Sequence, residues 1–462
     1  MFPSVDPAAR PGLTALLILL LLFCLYNINL RHSSGIDSLP NTLLPASILK
    51  EGNIDLNEFQ SMLENERRTL RAGFAFGALQ EKDGAIISSY PVGAALVVLP
   101  VYLVLDLAGF LETLHDYRVA AKVSSSLVSA LVAAILFLCL LRLTGYSAAV
   151  VITLFFGLGT SMWAVVSQDL WQHGPGMLCL VLAVYCLLRM QDHPTAWLAG
   201  CVGIALAMSV ICRPTNAIPA VLFAGYMALS YRRQLSLLIS CYLPAAVLGG
   251  CLIFYNLALY DNLTGGYDAI YHSQWHKSKN YDEIGLYSTP LGFGLASVLL
   301  SPNKGLLIFS PYIVFGLAAA GWVLARRRSS FNLVLVGWAV LAILLIAKNT
   351  GWYGGAAYGS RYLSESLIPL SLLLGIAWPL LLSHPAVRAV FFTLGIASIA
   401  IQMIGVFYWP CGWFEGPPNA DRFPERFWDW HAMEIFRCAS DGLIDYEIPF
   451  EMLNPPPEGK DF

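Results

Sequence analysis

The sequence predicts an all-α, polytopic membrane protein. Of its 462 residues, 57% are hydrophobic and only 12% are charged, about half the charged share of a soluble domain. The apolar residues form segments of roughly 17 to 25 residues, long enough to cross a bilayer as helices. We therefore predict one transmembrane domain over residues 1–410 and a short extracytoplasmic tail over residues 411–462. The apolar segments are 13–30, 91–111, 119–141, 147–165, 174–190, 195–212, 214–230, 235–258, 305–325, 331–347, 364–382 and 387–409.

The positions of the arginines predict the topology. Segment 91–111 decides it, because Pro91, Pro100 and Asp106 favour a helix that enters the membrane and returns on the same side. About eleven helices then cross the membrane, and about twelve crossings are the alternative. With eleven crossings the arginines of the short loops lie at cytoplasmic ends, as the positive-inside rule requires. These are Arg10, Arg142, Arg189, Arg232, Arg233, Arg326, Arg327, Arg328 and Arg388.

The same topology gathers the polar stretches on the extracytoplasmic side, with residues 31–118 as the first outer loop. Segment 13–30 is interpreted as a retained helix, since no small-residue cleavage site follows it. Most cysteines lie within apolar segments, but Cys411 and Cys438 are in the tail. If the tail lies outside the cytoplasm, these two cysteines can be bridged.

Asp37 lies a few residues beyond the first predicted helix, in the stretch GIDS. A carboxylate beside an apolar wall at the membrane surface can act as a general base. The alternative is that Asp37 caps the helix predicted over residues 38–50. Spacing alone favours the capping interpretation.

A second polar stretch, SQDLWQHGPG at residues 167–176, joins two apolar segments. Asp169, Gln172 and His173 are costly to place near a membrane unless they are used. Function and structure are equally good readings of Asp169 and His173, and Trp171 also suits an interfacial aromatic belt.

A third stretch, residues 268–283, contains His272 and His276, which would share one face of a helix. This spacing can hold a divalent metal, but the intervening acid of a zinc protease motif is absent, because residue 273 is Ser. The alternative ligand of this aromatic and basic loop is a sugar or a lipid head group.

Two further stretches offer cations to an anionic ligand. Lys304 comes just before an apolar segment, where it can contact a phosphate or simply extend to the membrane interface. Arg361 stands in NTGWYGGAAYGSRYLSE, residues 349–365, and departs from the positive-inside trend, which indicates a bound phosphate or carboxylate. The same stretch supplies aromatic faces for stacking, at Trp352, Tyr353, Tyr358 and Tyr362.

Together, GIDS after the first helix, SQDLWQHGP and WYGGAAYGSRYLSE resemble the C-type glycosyltransferase superfamily, whose multi-pass members use polyprenyl-phosphate sugars. Within it the chain is most similar to bacterial relatives of the protein O-mannosyltransferases and the lipid A aminoarabinose transferases. The resemblance covers roughly residues 10–410 and rests on the placement of these stretches more than on a strict motif.

The resemblance implies a hexosyl- or pentosyltransferase that moves a sugar from a polyprenyl-phosphate donor to a hydroxyl of a lipid, glycan or protein acceptor, with inversion. It assigns the essential acidic residue to Asp37, the donor phosphate to Arg361 and Lys304, and membrane-lying helices to parts of 39–110. Gln172, His173, Trp352 and Tyr353 would position the sugar. Many relatives carry a paired acid where this chain has Asp37 followed by Ser38, which leaves metal dependence open, with a divalent metal as the possible cofactor. The second acid, if one is needed, is Asp169 or an acid of the first loop such as Asp83 or Glu81.

These expectations place the chain in a bacterial inner membrane, in contact with membrane lipids, with its site facing the periplasm or the exterior. No basic patch suited to nucleic acid is present. The alternative function is a multi-pass transporter or lipid flippase. Transporters usually keep their polar groups near the bilayer midplane in two related halves, whereas this chain gathers them in loops on one side.

Overall fold

The computed structural model describes residues 10–32, 35–273, 285–381, 383–416 and 419–443. Within these ranges the regular secondary structure is helical apart from one hairpin, formed by β1 (Leu79–Lys82) and β2 (Ala85–Ser88). The helices are α1 (Pro11–Tyr26), α2 (Leu39–Lys50), α3 (Gln60–Asn65), α4 (Arg67–Ala75), α5 (Gly93–Leu107), α6 (Leu114–Leu141), α7 (Tyr146–Leu158), α8 (His173–Asp192), α9 (Ala196–Cys212), α10 (Ala217–Ser230), α11 (Leu235–Tyr260), α12 (Tyr267–Tyr271), α13 (Leu291–Leu300), α14 (Leu306–Phe309), α15 (Val314–Arg326), α16 (Ser330–Lys348), α17 (Leu367–Leu381), α18 (Pro385–Tyr408) and α19 (Glu434–Asp441).

Every predicted apolar segment contains a helix, and the all-α, polytopic prediction is confirmed. Among the described residues, 6 helical segments are long and apolar enough to cross a membrane, and further apolar helices of 10–17 residues accompany them. The crossing number of eleven stays a prediction. The six long segments are Leu114–Leu141, His173–Asp192, Leu235–Tyr260, Ser330–Lys348, Arg361–Leu380 and Pro385–Tyr408.

Helix α5 corresponds to the segment that decides the topology. It has 15 residues and carries Pro100 in its interior. At the usual rise it is about 22 Å long, which is shorter than a hydrocarbon core of about 30 Å. It packs against α2 of the first outer loop and also against α6, α8 and α9. Its length does not decide whether it crosses, since α7 has only 13 residues, and its return on the same side stays a prediction.

The first outer loop has a hydrophobic core of its own, in which Leu43, Leu63 and Tyr102 are fully buried. The hairpin inside the loop turns at Asp83 and Gly84, both with positive φ. An Asp-Gly pair with positive φ at both positions is the favoured two-residue connection between antiparallel strands. The loop is therefore a folded unit against the helices and can hold side chains in fixed positions.

The helix bundle is centred on α6, α8 and α17, whose most apolar stretches are 72%, 72% and 78% buried, whereas α11 is 11% buried and lies at the periphery. Lys122 of α6 ties this centre to the end of α1 and to the residues before α8. Its buried ammonium group donates to the carbonyl oxygens of Tyr26 at 2.7 Å and Ser167 at 3.1 Å. A π-helical turn, Met162–Val166, precedes Ser167, and such turns are frequent at functional sites.

The described part of the tail folds back on the membrane domain. Cys411 and Cys438, whose bridging the sequence left open, form a disulfide with a Cα to Cα distance of 4.9 Å. Asn303, just after α13, donates to the carbonyl oxygens of Arg426 at 2.9 Å and Asp429 at 3.1 Å. The tail is thus held by a covalent bond and by hydrogen bonds to the loop before α14.

We expect loss of this disulfide to destabilise the protein. The bridge spans a sequence separation of 27 residues, and closing such a loop typically stabilises a fold by about 2–4 kcal/mol. The double variant Cys411→Ser, Cys438→Ser should unfold several degrees lower in a thermal scan of the detergent-purified protein. The control is Cys24→Ser, which alters an exposed free cysteine. Equal unfolding temperatures for all three proteins would contradict the expectation.

Candidate active site

A cavity of about 1220 Å³ lies between the first outer loop, the helices of the bundle and the tail. This volume exceeds the usual range for small-molecule pockets. Six of the residues predicted from sequence line it: Asp37, Gln172, His173, Tyr353, Arg361 and Tyr362. The other predicted residues that the structure describes, Asp169, His272, Lys304, Trp352 and Tyr358, are not among its lining residues.

Asp37 and Arg361 form an ion pair in the wall of this cavity. The Asp37 Oδ2 atom accepts from Arg361 Nη2 at 3.1 Å. The Arg361 side chain is 6% exposed and that of Asp37 is 37% exposed, so the carboxylate is the more exposed partner, although both residues line the cavity. Helix α2 begins at Leu39 without a side-chain cap. Asp37 therefore does not cap that helix, and the capping interpretation is wrong.

The guanidinium group of Arg361 is held over the ring of Trp171, with 4.3 Å between the guanidinium carbon and the ring centroid. Aromatic faces attract cations, so Trp171 fixes the plane in which the guanidinium lies. The Arg361 Nε atom is buried and has no hydrogen-bond partner among the residues that the structure describes. The arginine thus keeps donor capacity while its orientation is set by the protein.

Asp169 lies behind Asp37 and is buried. Its Oδ2 atom accepts from the hydroxyl of Ser38 at 2.5 Å and from the backbone amide of Gly35 at 3.1 Å. Its Oδ1 atom accepts from the amide of Leu170 at 2.8 Å. Asp169 therefore holds both ends of the short turn that carries Asp37.

Gln172 and two tyrosines line the cavity next to this turn. The Tyr267 hydroxyl donates to Gln172 Oε1 at 2.6 Å, and Gln172 Nε2 has no partner. Burial raises the pKa of Tyr90, and the nearby negative charge of Asp37 raises it further. Burial also raises the pKa of Tyr267. Both phenols therefore stay protonated, and the Tyr267 hydrogen is the one donated to Gln172.

His173 belongs to a buried cluster with Arg213 and Glu365. The Arg213 Nη1 atom donates to the two Glu365 oxygens at 2.7 and 2.8 Å. The Nδ1 atom of His173 lies 2.5 Å from Arg213 Nη1 and 3.0 Å from Glu365 Oε1. The sequence reading missed Arg213 and Glu365. Arg213 gave a usable signal, since it falls between two apolar segments at an outer end and departs from the positive-inside trend as Arg361 does.

The aromatic residues before α17 are divided between the cavity and the tail. Tyr353 stacks on Phe427 of the tail at 4.4 Å between centroids, and its hydroxyl donates to Asp421 at 2.7 Å. Tyr358 is 1% exposed and belongs to the core. Trp352 packs edge-on against Tyr353 at 5.9 Å. In this arrangement Trp352 and Tyr358 support the tail and the core.

Lys304 is withdrawn from the cavity. Its ammonium group pairs with Glu434 Oε2 at 3.3 Å and donates to the carbonyl oxygen of Ala357, and it is 1% exposed. Burial lowers the pKa of Lys304 and raises the pKa of Glu434. The structure therefore brings Lys304 to the tail and not to the lining that contains Arg361.

His272 is more than half exposed and contacts Asp268 of its own helix, with 3.5 Å between Nδ1 and Oδ1. His276 lies outside the described residues. In the part of the chain that the structure describes, no group of three or more His, Cys, Asp or Glu side chains is placed to hold a metal ion. The metal-ligand prediction for the two histidines stays a prediction.

No protein-family model and no curated protein sequence matches this chain. The fold is similar to solved structures of the oligosaccharyltransferase AglB from the archaeon Archaeoglobus fulgidus. The complex with an inhibitory peptide and a dolichol-phosphate aligns with a TM-score of 0.51 and 10% identity over 95% of this chain and 61% of that one. The complex with zinc and sulfate aligns with a TM-score of 0.53 and 13% identity, over 95% of this chain and 59% of that one. The form tethered to an acceptor peptide containing the NVT sequon aligns with a TM-score of 0.52 and 10% identity, over 94% of this chain and 61% of that one.

The chain thus spans about three fifths of the length of the structures that it matches. The oligosaccharyltransferase is a C-type glycosyltransferase. The chain has the C-type fold of these structures, and the fold expected from the sequence is confirmed. The narrower likeness to mannosyl- and aminoarabinose transferases stays a prediction.

We expect Lys304→Met to destabilise the protein strongly, because Glu434 would be left as a buried carboxylate without its cation. Breaking a buried ion pair from one side costs about 3–5 kcal/mol. Adding Glu434→Gln should recover part of the loss. The measurement is denaturant unfolding in detergent. Arg437→Met is the control, since it breaks an exposed pair with Asp441, where a cost below about 1 kcal/mol is usual. A similar cost for Lys304→Met and Arg437→Met would refute the interpretation.

Proposed function

We propose that this protein is a membrane glycosyltransferase that moves a sugar from a polyprenyl-phosphate donor to an acceptor hydroxyl on the extracytoplasmic face. The observation that carries the proposal is the pairing of Asp37 with Arg361 in the wall of a large cavity. One group can take a proton and the other can bind a phosphate, and they are adjacent. The C-type fold adds support, because one similar structure is a complex with a dolichol-phosphate.

The cavity offers separate surfaces to the parts of such a donor. Its apolar lining includes Val210, Leu252 and Leu345, which come from the membrane helices α9, α11 and α16. A polyprenyl chain suits this side because apolar surface is buried favourably there. Arg361 would bind the phosphate through charge-assisted hydrogen bonds. Lys304 has no part in this proposal, because Glu434 already neutralises its buried ammonium group.

The transfer follows as a single displacement. Asp37 takes the proton from the acceptor hydroxyl, and the oxygen attacks the anomeric carbon from the side opposite the phosphate. The bond between that carbon and the phosphate oxygen breaks, and both of its electrons leave with the polyprenyl phosphate. Arg361 stabilises the negative charge that develops on the leaving phosphate. One displacement inverts the anomeric centre.

The remaining parts of the proposal concern the head group and its surroundings. Gln172, His173 and Tyr353 line the cavity where the sugar phosphate head group would lie. The acceptor is a lipid, a glycan or a protein; one similar structure carries an acceptor peptide. One similar structure contains zinc, so a divalent metal belongs among the additions tested in the assay. The compartment that suits the proposal is a bacterial inner membrane with the cavity facing outward.

We expect Asp37→Asn to lower transfer by roughly 10²- to 10⁴-fold, the usual contribution of a general base. The measurement is transfer from a panel of radiolabelled polyprenyl-phosphate sugars by purified protein, with and without added divalent metal. The control is Asp106→Asn, because Asp106 pairs with Lys50 away from the cavity lining. Equal turnover by the wild type and Asp37→Asn would remove Asp37 from the mechanism. No turnover of any donor by the wild type would favour a transporter or flippase.

We expect Arg361→Gln to weaken donor binding, because a charge-assisted contact with the phosphate is lost. Hydrogen bonds to charged groups contribute about 1.5–3 kcal/mol, so KM for the donor should rise roughly 10- to 150-fold. The control is Arg118→Gln, which removes an arginine paired with Glu66 in the first loop and outside the cavity lining. An unchanged donor KM in Arg361→Gln would show that the phosphate binds elsewhere.

A further inference from the structure

The cluster of His173, Arg213 and Glu365 brings together three buried polar side chains, each at most 8% exposed. His173 is the first residue of α8, Arg213 directly follows α9, and Glu365 lies in the turn before α17. Ionisable groups buried near a membrane are expensive, and they are usually retained for function. Structural pairing alone would need only Arg213 and Glu365, whose hydrogen bonds to each other are complete. The imidazole of His173 is the additional member, and its hydrogen-bonding state follows from the geometry.

The contacts of His173 Nδ1 determine which ring nitrogen carries the hydrogen. The nearest atom is Arg213 Nη1 at 2.5 Å, and the Glu365 oxygens are farther away at 3.0 and 3.2 Å. A guanidinium nitrogen can only donate. A hydrogen on Nδ1 would therefore point into a donor at the shortest contact in the cluster. The assignment that satisfies this shortest contact has Nδ1 accepting from Arg213, which leaves the ring neutral with its hydrogen on Nε2.

Glu365 positions Arg213, and Arg213 contacts the imidazole of His173. Glu365 accepts from Arg213 Nη1 through both oxygens, which fixes the position of that nitrogen. Arg213 in turn fixes the tautomer of His173. Among the described residues, the hydrogen bonds of His173 all use Nδ1, and His173 lines the cavity. The Nε2 hydrogen is therefore free to be donated into the cavity.

His173 and Arg361 both line the cavity. The ring of Tyr362 connects the two, because its centroid is 6.3 Å from the centroid of His173 and 5.3 Å from the guanidinium carbon of Arg361. A sugar hydroxyl can donate or accept a hydrogen bond, so the protein group that contacts it can be either an acceptor or a donor. Ionised phosphate oxygens only accept. A donor that is locked as a donor matches a phosphate.

We propose that His173 binds a phosphate oxygen of the lipid-linked donor through its Nε2 hydrogen, with Arg213 and Glu365 as positioning residues that lock this tautomer. The inference rests on the proposed function and adds to it a second phosphate contact beside Arg361. His173 is thereby assigned to the phosphate and not to the sugar.

The tautomer is tested first, by ¹⁵N NMR of the full chain labelled at histidine in lipid bilayers, with His173→Gln used to assign the signal. The expected spectrum has a protonated Nε2 and a bare Nδ1, and polyprenyl phosphate without a sugar should shift the Nε2 signal. A protonated Nδ1, or an Nε2 signal that does not respond to polyprenyl phosphate, would overturn the inference. This readout does not depend on turnover.

Binding of polyprenyl phosphate to purified variants provides the second test. His173→Leu removes the donor and should raise Kd roughly tenfold, the size of one good hydrogen bond. His173→Gln keeps an N–H near the same position and should raise Kd by less than about threefold. Arg213→Met should allow a hydrogen on Nδ1 and resemble His173→Leu. Equal Kd values for the Leu and Gln variants would reject the phosphate contact. If those values are equal while the wild type still transfers sugar, the inference fails and the proposed function stands.

Discussion

The ion pair between Asp37 and Arg361 joins residues that are 324 positions apart, and the arrangement of the site depends on it. A charge that leaves water must be paired, because an uncompensated buried ion is far more costly than a paired one. Arg361 is almost fully buried, so its position is acceptable only where Asp37 meets it. The first outer loop is thereby held against the segment that leads into α17, and the cavity lies beside this junction.

Other contacts supply the rigidity that the pair needs. Asp169 holds the turn before α2, Trp171 lies under the guanidinium group, and Lys122 ties the end of α1 to the residues before α8. Each of these side chains is buried and satisfies backbone or charged groups that water would otherwise reach. A base and a phosphate-binding cation need fixed positions to act together, and these neighbours limit their freedom before any ligand arrives.

The sequence was sufficient to predict the fold and part of the site. Apolar length predicts the helices, because a bilayer imposes that length, and the departure of Arg361 from the positive-inside trend marked a residue that does line the cavity. Partners could not be predicted, since pairing depends on packing between distant elements. The sequence suggested Lys304 as a phosphate ligand, but in the structure it pairs with Glu434 of the tail. Glu365 was not singled out, because its partner Arg213 comes from a distant element, at the end of α9. Trp352 and Tyr358 lie in an aromatic stretch that suggested a stacking site for a ligand. In the structure they pack in the tail and the core instead.

The Asp37–Arg361 pair also has a consequence for biogenesis. During synthesis the first outer loop emerges early, while Arg361 is added only after most of the membrane helices have been made. A nascent chain that has not yet passed this point has Asp37 but no guanidinium to meet it, and the tail that forms part of the cavity wall comes later still. Premature termination before residue 361, for example within α16, would therefore leave an inserted membrane protein in which this carboxylate never meets its cation.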